Sequence, residues 1–468
     1  MSSLDSESAT ARRRKDDKTW RAGTLVYSLG ALAGLFFWLL WGDFSWQLKE
    51  RAVLPVAQLM LRSMSASDFI VGVLIGSFPA AIGMILGPII SVRSDRHRGR
   101  WGRRIPFLII STPVAALSMA LLGMAPFLGR ALHEVLGASS PGVIAANLIV
   151  FSIIWAVFEI ASIVANSVFG GLINDTVPQE VMGRFFGLFR IVSLVAGILF
   201  NYWIMGQAES HYFEIMLIIG LVYGGGFVLM CLRVKEGDYP PPETVAEGVH
   251  PVREIKTYVR ECYGHAYYLW LFGGYSLAML ASSPVNSFSV FYAKSVGMSM
   301  DTYGKCLALT YAISLIISYP LGSLADRFHP LRLGIVTTLL YAVAMLLSGL
   351  VAGSANLFAV AFVLHGVLAG AFFTTTASLG QRLFPRAKFA QFASAMGITT
   401  GVGYLVLPPL LGATLDLSGH QYNLTFQFAG VLGLAGAVCL WVAHGKFMRL
   451  GGPKNYVAPE SATSSLNS

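Results

Sequence analysis

The chain has 468 residues, of which 55% are hydrophobic and only 12% are charged, and its formal net charge is +9. A soluble domain carries about 25% charged residues, and disorder needs low hydrophobicity, so neither a large soluble enzyme nor a disordered chain fits. One spanning helix takes about 20 apolar residues, so twelve would use roughly 240, close to the apolar total here.

The first segment, Met1 to Arg21, is polar and basic. The apolar run after it is too long for a signal-peptide core and lacks a clear cleavage site, which predicts a retained first span. Spans are expected near 23–46, 69–91, 106–128, 144–170, 185–206 and 212–233, and again near 267–292, 303–325, 332–353, 356–380, 391–414 and 424–446. Many contain Gly or Pro, which membrane helices tolerate. No stretch shows sustained period-two alternation, so a β-barrel is not competitive. The fold class predicted is all-α integral membrane, with twelve transmembrane helices in two pseudo-symmetric six-helix bundles. The expected division is a cytoplasmic tail (1–22), one bundle (23–233), a linker (234–266), a second bundle (267–447) and a cytoplasmic tail (448–468).

Charge placement orients the chain. With the N-terminus inside, only Lys49, Arg51, Arg62, Arg130, Lys294 and Lys305 of the 33 Lys and Arg fall outside. Basic loops stay cytoplasmic, so the net charge is topological and no nucleic-acid partner is expected. The linker holds Tyr239-Pro240-Pro241-Pro242 and a short amphipathic stretch, Val252 to Tyr263, expected to lie on the membrane surface. Cys231, Cys262, Cys306 and Cys439 lie far apart and read as small apolar residues, so no metal site and no disulfide is expected.

The halves echo each other. Ser94-Asp95-Arg96 follows the second span and Ala325-Asp326-Arg327 follows the eighth, an offset of 231 residues. Pro178 precedes Phe185-Phe186-Gly187 by seven residues, and Pro385 precedes Phe392-Ala393-Ser394 by the same interval. Paired loops in the same order indicate duplicated six-helix units, the plan of one transporter class.

The loop after span two reads Ser94-Asp95-Arg96-His97-Arg98-Gly99-Arg100-Trp101-Gly102-Arg103-Arg104-Ile105-Pro106-Phe107. Gly102 permits a tight turn. Asp95 is expected to bridge backbone amides and the arginines across the two halves, as a latch for the outward-open state. Basic topology alone requires neither the Asp nor the Gly. The gating set expected here is Asp95, Arg96, Gly102, Arg103 and Arg104, with Asp175, Arg184, Asp326, Arg327 and Lys294.

This loop resembles the signature of the major facilitator superfamily. Its long form is similar to that of the glycoside–pentoside–hexuronide:cation symporters, and within them to the sucrose–proton symporter branch. The resemblance implies the major facilitator fold, no cofactor, and symport of a sugar or glycoside. It also assigns a carboxylate in span four as the proton acceptor, which maps to Glu159 with Glu in place of Asp. The position of that branch's sugar-binding arginine is Gly170, so the resemblance stops short of sucrose itself. The paired span-two Asp residues of sodium-coupled members have no counterpart between Ile70 and Val92, which favours a proton as the coupling ion.

An ionisable residue inside a span is expensive and marks a pathway. Glu159 lies near mid-depth of span four and is the first proton-site candidate; Asp43, near the outer end of span one, and His365, mid-depth in span ten, are the alternates. Asp43 and Lys294 are also an expected outer-gate pair. Arg190 is expected to snorkel to the headgroups. Span seven carries Ser282-Ser283-Pro284-Val285-Asn286-Ser287-Phe288-Ser289, and a broken polar helix at that depth is tolerated only lining a cavity or buried in protein. Asn166, Asn201, Asn286 and Thr375 are candidate hydrogen-bond partners for a polar solute, with Trp38 and Trp41 as stacking surfaces for a sugar ring. Together these residues predict a proton-coupled sugar or glycoside transporter, monomeric, multi-pass, in a bacterial inner membrane with both termini cytoplasmic. The competing readings are an exporter of drugs or amphiphiles and a pigment-associated membrane protein without transport. An enzyme is disfavoured, because no catalytic cluster, phosphate loop or large outer loop is present.

Overall fold

A computed structural model describes residues 19–239, 251–385 and 388–459. The basic tail up to residue 18, the proline-rich linker stretch 240–250 and the last nine residues lie outside the described residues. The chain folds almost wholly into helices. Eleven of them, among the described residues, are long and apolar enough to cross a membrane. They are α1 (Leu29–Ser63), α2 (Asp68–Arg96), α3 (Ile105–Gly123), α5 (Val143–Thr176), α6 (Gln179–Trp203), α7 (Tyr212–Arg233), α11 (Met300–Phe328), α12 (Pro330–Val351), α13 (Ala355–Leu383), α14 (Phe389–Leu417) and α15 (Asn423–Arg449).

The expected seventh span is split at Ala281 and Ser282 into α9 (Ala266–Leu280) and α10 (Ser283–Ser295). Pro284 sits in the first turn of α10, where its missing N–H costs nothing and its ring cannot continue the preceding helix. Three short helices complete the set: α4 (Ala125–Leu136), α8 (Pro251–Tyr263) on the expected amphipathic linker stretch, and α16 (Gly452–Asn455).

The first span departs from expectation. Residues 20–27 form a small antiparallel hairpin, β1 (Trp20–Ala22) and β2 (Leu25–Tyr27), turned at Gly23, whose φ is +57°. Helix α1 then runs 35 residues to Ser63, about 52 Å at 1.5 Å per residue. Lys49 and Arg51 are therefore inside a helix and not in an outer loop. Three successive ionisable residues look like a helix boundary in sequence, but here buried partners accommodate them.

The chain divides into two compact units. The first holds Met1–Leu54, Ile85–Phe200 and Ser210–Glu243; the second holds Pro55–Met84, Asn201–Glu209 and Thr244–Ser468. Within the first, α3 packs on α5 and α7, and an aromatic cluster of Trp46, Phe169, Tyr223 and Phe227 fills the space beside α1. Within the second, α15 packs along α12 and α9, and a core of Tyr268, Phe272, Phe384, Phe392 and Phe447 closes one end. Small residues set the close approaches: Gly72 and Gly76 of α2 lie against Pro408 of α14, and Gly412 lies against the Asp68 backbone. Such approaches let membrane helices gain dispersion energy without a hydrophobic driving force. Gly72–Ser77 is a π-helical stretch, a local widening that often marks functional helices.

Candidate functional site

The signature loop builds a charged cluster in the first unit. Gly102 adopts φ +97°, a conformation costly for any side chain, and forms a bridge with Gly99. The turn aims Arg103 and Arg104 at the end of α5. Asp175 accepts from Arg103 Nε at 2.9 Å and Nη2 at 2.5 Å, and from Arg104 Nε at 3.1 Å. Arg104, only 7% exposed, also binds Asp95 and the Ser94 hydroxyl. Asp95 thus faces the two arginines of its own unit. Arg96 and Arg184 are exposed. In the repeat, Asp326 pairs with Arg382 at 2.6 Å, and Arg327 lies over the Phe328 ring.

Sequence reasoning missed Glu236. Its carboxylate accepts the backbone N–H groups of Arg103 (3.0 Å), Arg104 (2.8 Å) and Ile105 (2.8 Å), capping the start of α3 from 131 to 133 residues away. Tyr239 donates to the same carboxylate and stacks under Arg103, with the guanidinium carbon 4.0 Å from its ring centroid. Only the acidic residue just beyond span six, with no pattern of its own, hinted at this role. Glu236→Ala is expected to cost about 1–2 kcal/mol, the worth of a charged helix cap. The check is a lower thermal unfolding midpoint in detergent, largely recovered in Glu236→Asp only if the shorter side chain still reaches the amides.

Deeper in the same unit lies a set of ionisable residues that the sequence only partly revealed. Asp43 is fully buried, accepts from Gln47 Nε2 at 3.1 Å through Oδ1, and its Oδ2 has no partner among the described residues. The network continues: Ser193 donates to Gln47 Oε1 at 2.9 Å and accepts from Arg51 at 3.2 Å. One turn along, Lys49 is 1% exposed, 2.6 Å from Glu50 and 3.2 Å from the Ser162 hydroxyl. Its ammonium lies 3.8 Å from the Trp46 ring centroid, with Phe158 and Tyr223 at 5.5 and 5.4 Å. Glu159, the seventeenth residue of the 34 in α5, lies one turn from Ser162 and feels the charges of Lys49 and Glu50. It is half-buried, and its carboxylate makes no hydrogen bond among the described residues.

The second unit holds a polar network at the helix break. The Ala281 carbonyl, freed at the α9–α10 junction, accepts from Tyr341 Oη at 3.0 Å. Tyr341 Oη also lies 2.9 Å from Nδ1 of His365, and the ring's Nε2 lies 3.2 Å from Oδ1 of Asn286. Both ring nitrogens of His365 thus have a polar neighbour, while Asn286 keeps an exposed side. Gln58 of α1 donates to the carbonyls of Asn286 and Ser287, at 2.9 and 3.0 Å.

The remaining expected contacts separate. Asn166 is exposed on the same helix as Glu159. Thr375 is fully buried and donates to Ala371 of its own helix, which removes it from reach of a solute. Asn201 is buried where α6 ends against Gly304. The Trp38 ring is covered by Arg233 at 5.3 Å, so it presents less free face to a sugar than expected. Lys294 pairs with Glu209 in place of the expected Asp43. Arg190 is exposed.

A further cluster, absent from the sequence reading, joins α2 to the end of α14. Asp416 accepts the backbone N–H groups of Asp68 and Phe69, both at 2.9 Å, while Asp68 binds His420 at 2.7 Å and Tyr422 at 3.1 Å. Asp68, Asp416 and His420 bring three possible ligand atoms within 4.8 Å of one another. Their oxygens are already spent on amides, the imidazole and the phenol, as in a latch between helices.

The comparisons with known proteins agree with this layout. The family model of MFS/sugar transport proteins matches residues 61–442. No curated relative matches the sequence. Among solved structures, a bacterial homolog of the human lysosomal transporter Spinster, inward-facing and unoccupied, superposes with a TM-score of 0.65 at 14% identity, covering 92% of this chain and 98% of that one. The xylose transporter XylE from E. coli, partially occluded and inward open, gives 0.59 at 14% identity over 88% and 97%. The nucleoside transporter NupG, in a point-mutant form, gives 0.63 at 11% identity over 87% and 99%. At such identities the likeness carries the fold. The match over most of the chain places this multi-pass membrane protein in the MFS/sugar transport protein family.

Proposed function

We propose that this protein is a secondary active transporter that moves a sugar or glycoside together with protons by alternating access. One observation carries the reading. Glu159 is a carboxylate at the middle of a spanning helix, half-buried, without a hydrogen-bond partner among the described residues, beside a buried cation. An intramembrane carboxylate left open in this way is suited to take and release a proton. The exposed amides of Asn166 and Asn286 supply the kind of donors and acceptors that hydroxyl-rich solutes need. Asp43, with its unpartnered oxygen, is the second proton site in the reading, and His365 holds the break of α9 and α10 in shape.

In this reading alternating access rocks the bundles 23–233 and 267–447. The Arg103, Arg104 and Asp175 cluster steadies the inner side, and the Asp68, Asp416 and His420 latch closes the outer side. The protein works as a monomer in a bacterial inner membrane with both termini cytoplasmic, supported by the basic loop at one face.

The test is uptake of a panel of labelled mono- and disaccharides into proteoliposomes under an inward proton gradient. At least one sugar should accumulate above its equilibrium level. In Glu159→Gln accumulation should vanish, a loss of about a hundredfold or more in uphill flux, while exchange of internal for external sugar survives. A wild type that equilibrates or accumulates none of the panel would remove the sugar assignment.

A further inference from the structure

Lys49 is a cation that cannot reach water. Its side chain is 1% exposed, its ammonium sits among the rings of Trp46, Phe158 and Tyr223, and its two polar partners are Glu50 at 2.6 Å and Ser162 at 3.2 Å. Removing an ammonium from water is repaid only by a carboxylate close by. Two carboxylates are available: Glu50, whose side chain is 49% exposed, and Glu159, one helical turn from Ser162. Among the described residues, the titratable groups that meet its ammonium or its charge are Glu50 on α1, Glu159 on α5 and Tyr223 on α7, with Asp43 and Arg51 further along α1. Arg51 is already tied towards Asp43 through Ser193 and Gln47. Lys49 is therefore paired with Glu50, while Glu159 lies near enough to feel the charges of both.

We propose that Lys49 is a positioning residue that is shared between Glu50 and Glu159 and thereby sets whether Glu159 holds a proton. This rests on the reading of Glu159 as the proton carrier. When Glu159 is protonated, Lys49 stays on Glu50, the pairing in the structure. When Glu159 gives its proton to water, the ammonium turns towards it, with the Ser162 hydroxyl as the intermediate partner. The three rotatable donors of a lysine suit this exchange better than the fixed fork of an arginine. The aromatic rings keep the nitrogen in place through cation–π attraction without committing it to either oxygen.

The consequence has a sign. Removing the cation leaves Glu159 without its counter-charge, so it should keep its proton to higher pH. Removing Glu50 hands the whole cation to Glu159, so it should lose its proton at lower pH. The measurement is labelling of Glu159 by dicyclohexylcarbodiimide, which reacts with protonated carboxyls, read by peptide mass over a pH series on the full chain in proteoliposomes. Lys49→Gln should raise the labelling midpoint and Glu50→Gln should lower it, each by about one pH unit, tenfold in the protonated-to-ionised ratio. Lys49→Arg should return the midpoint towards the wild type.

Midpoints that stay put, or that move the same way in both variants, overturn the proposal while leaving Glu159 as the proton carrier. A wild type in which Glu159 is not labelled at any pH overturns both. If Lys49→Gln does not fold, the near-isosteric and half-exposed Glu50→Gln carries the test alone.

Discussion

Gly72→Val should cut transport by at least about tenfold and hold the α2–α14 contact open. A Cβ at Gly72 would stand 2.6 Å from the Pro408 carbonyl carbon and 2.9 Å from Pro409 Cα. Both are backbone atoms and neither can rotate aside. Overpacking a close contact of this kind costs about 1–3 kcal/mol, so a closed arrangement held by a similar margin would lose its majority. The neighbouring contacts fail with it. Gly76 meets the Pro408 ring and Gly412 meets the Asp68 backbone, so a wedge at Gly72 also pulls Asp68 and Phe69 from the Asp416 carboxylate. The check is a Ser77→Cys reporter, placed where the serine is 8% exposed, labelled with a membrane-impermeant maleimide. Labelling should rise several-fold when Gly72→Val is added. Unchanged labelling with unchanged transport would mean that this contact does not act as a gate.

The second large effect is expected at Asp175. Its two oxygens serve Arg103 and Arg104 together, and Arg104 is nearly buried. Asp175→Ala leaves two guanidiniums sharing the exposed Asp95. Breaking a fully buried pair costs about 3–5 kcal/mol, and the partial exposure here reduces that to about 2 kcal/mol. The loss should appear as a lower unfolding midpoint and as transport reduced more than tenfold. Asp175→Asn, which keeps the shape and some hydrogen bonds but not the charge, should fall between. Equal stability in Asp175→Ala and the wild type would mean that the arginines are satisfied elsewhere.

The signature loop was legible because each residue type in it has a separate reason to be there: Gly102 for its positive φ, and Asp95 with Arg103 and Arg104 for their opposite charges. The broken seventh span was legible from Pro284 and the serines around it. The partners were not. Glu236, Asp175 and the two arginines meet across 71 to 133 residues, and no periodicity relates them. The same holds for Asp68 and Asp416, 348 residues apart. Lys49 lies inside α1 although the run Lys49-Glu50-Arg51 resembles a loop, because the Trp46 ring and the Ser162 hydroxyl receive it. Thr375 bonds the carbonyl of Ala371, since a threonine in a spanning helix bonds its own helix as readily as a solute.

The most direct measurement of the account is proton movement evoked by solute alone. The protein is reconstituted in liposomes loaded with a pH-sensitive dye, with no imposed gradient, and the sugars of the panel are added outside one at a time. The account predicts that a transported sugar acidifies the interior, and that Glu159→Gln abolishes the acidification while sugar still exchanges. Sugar entry with no acidification in the wild type would contradict it.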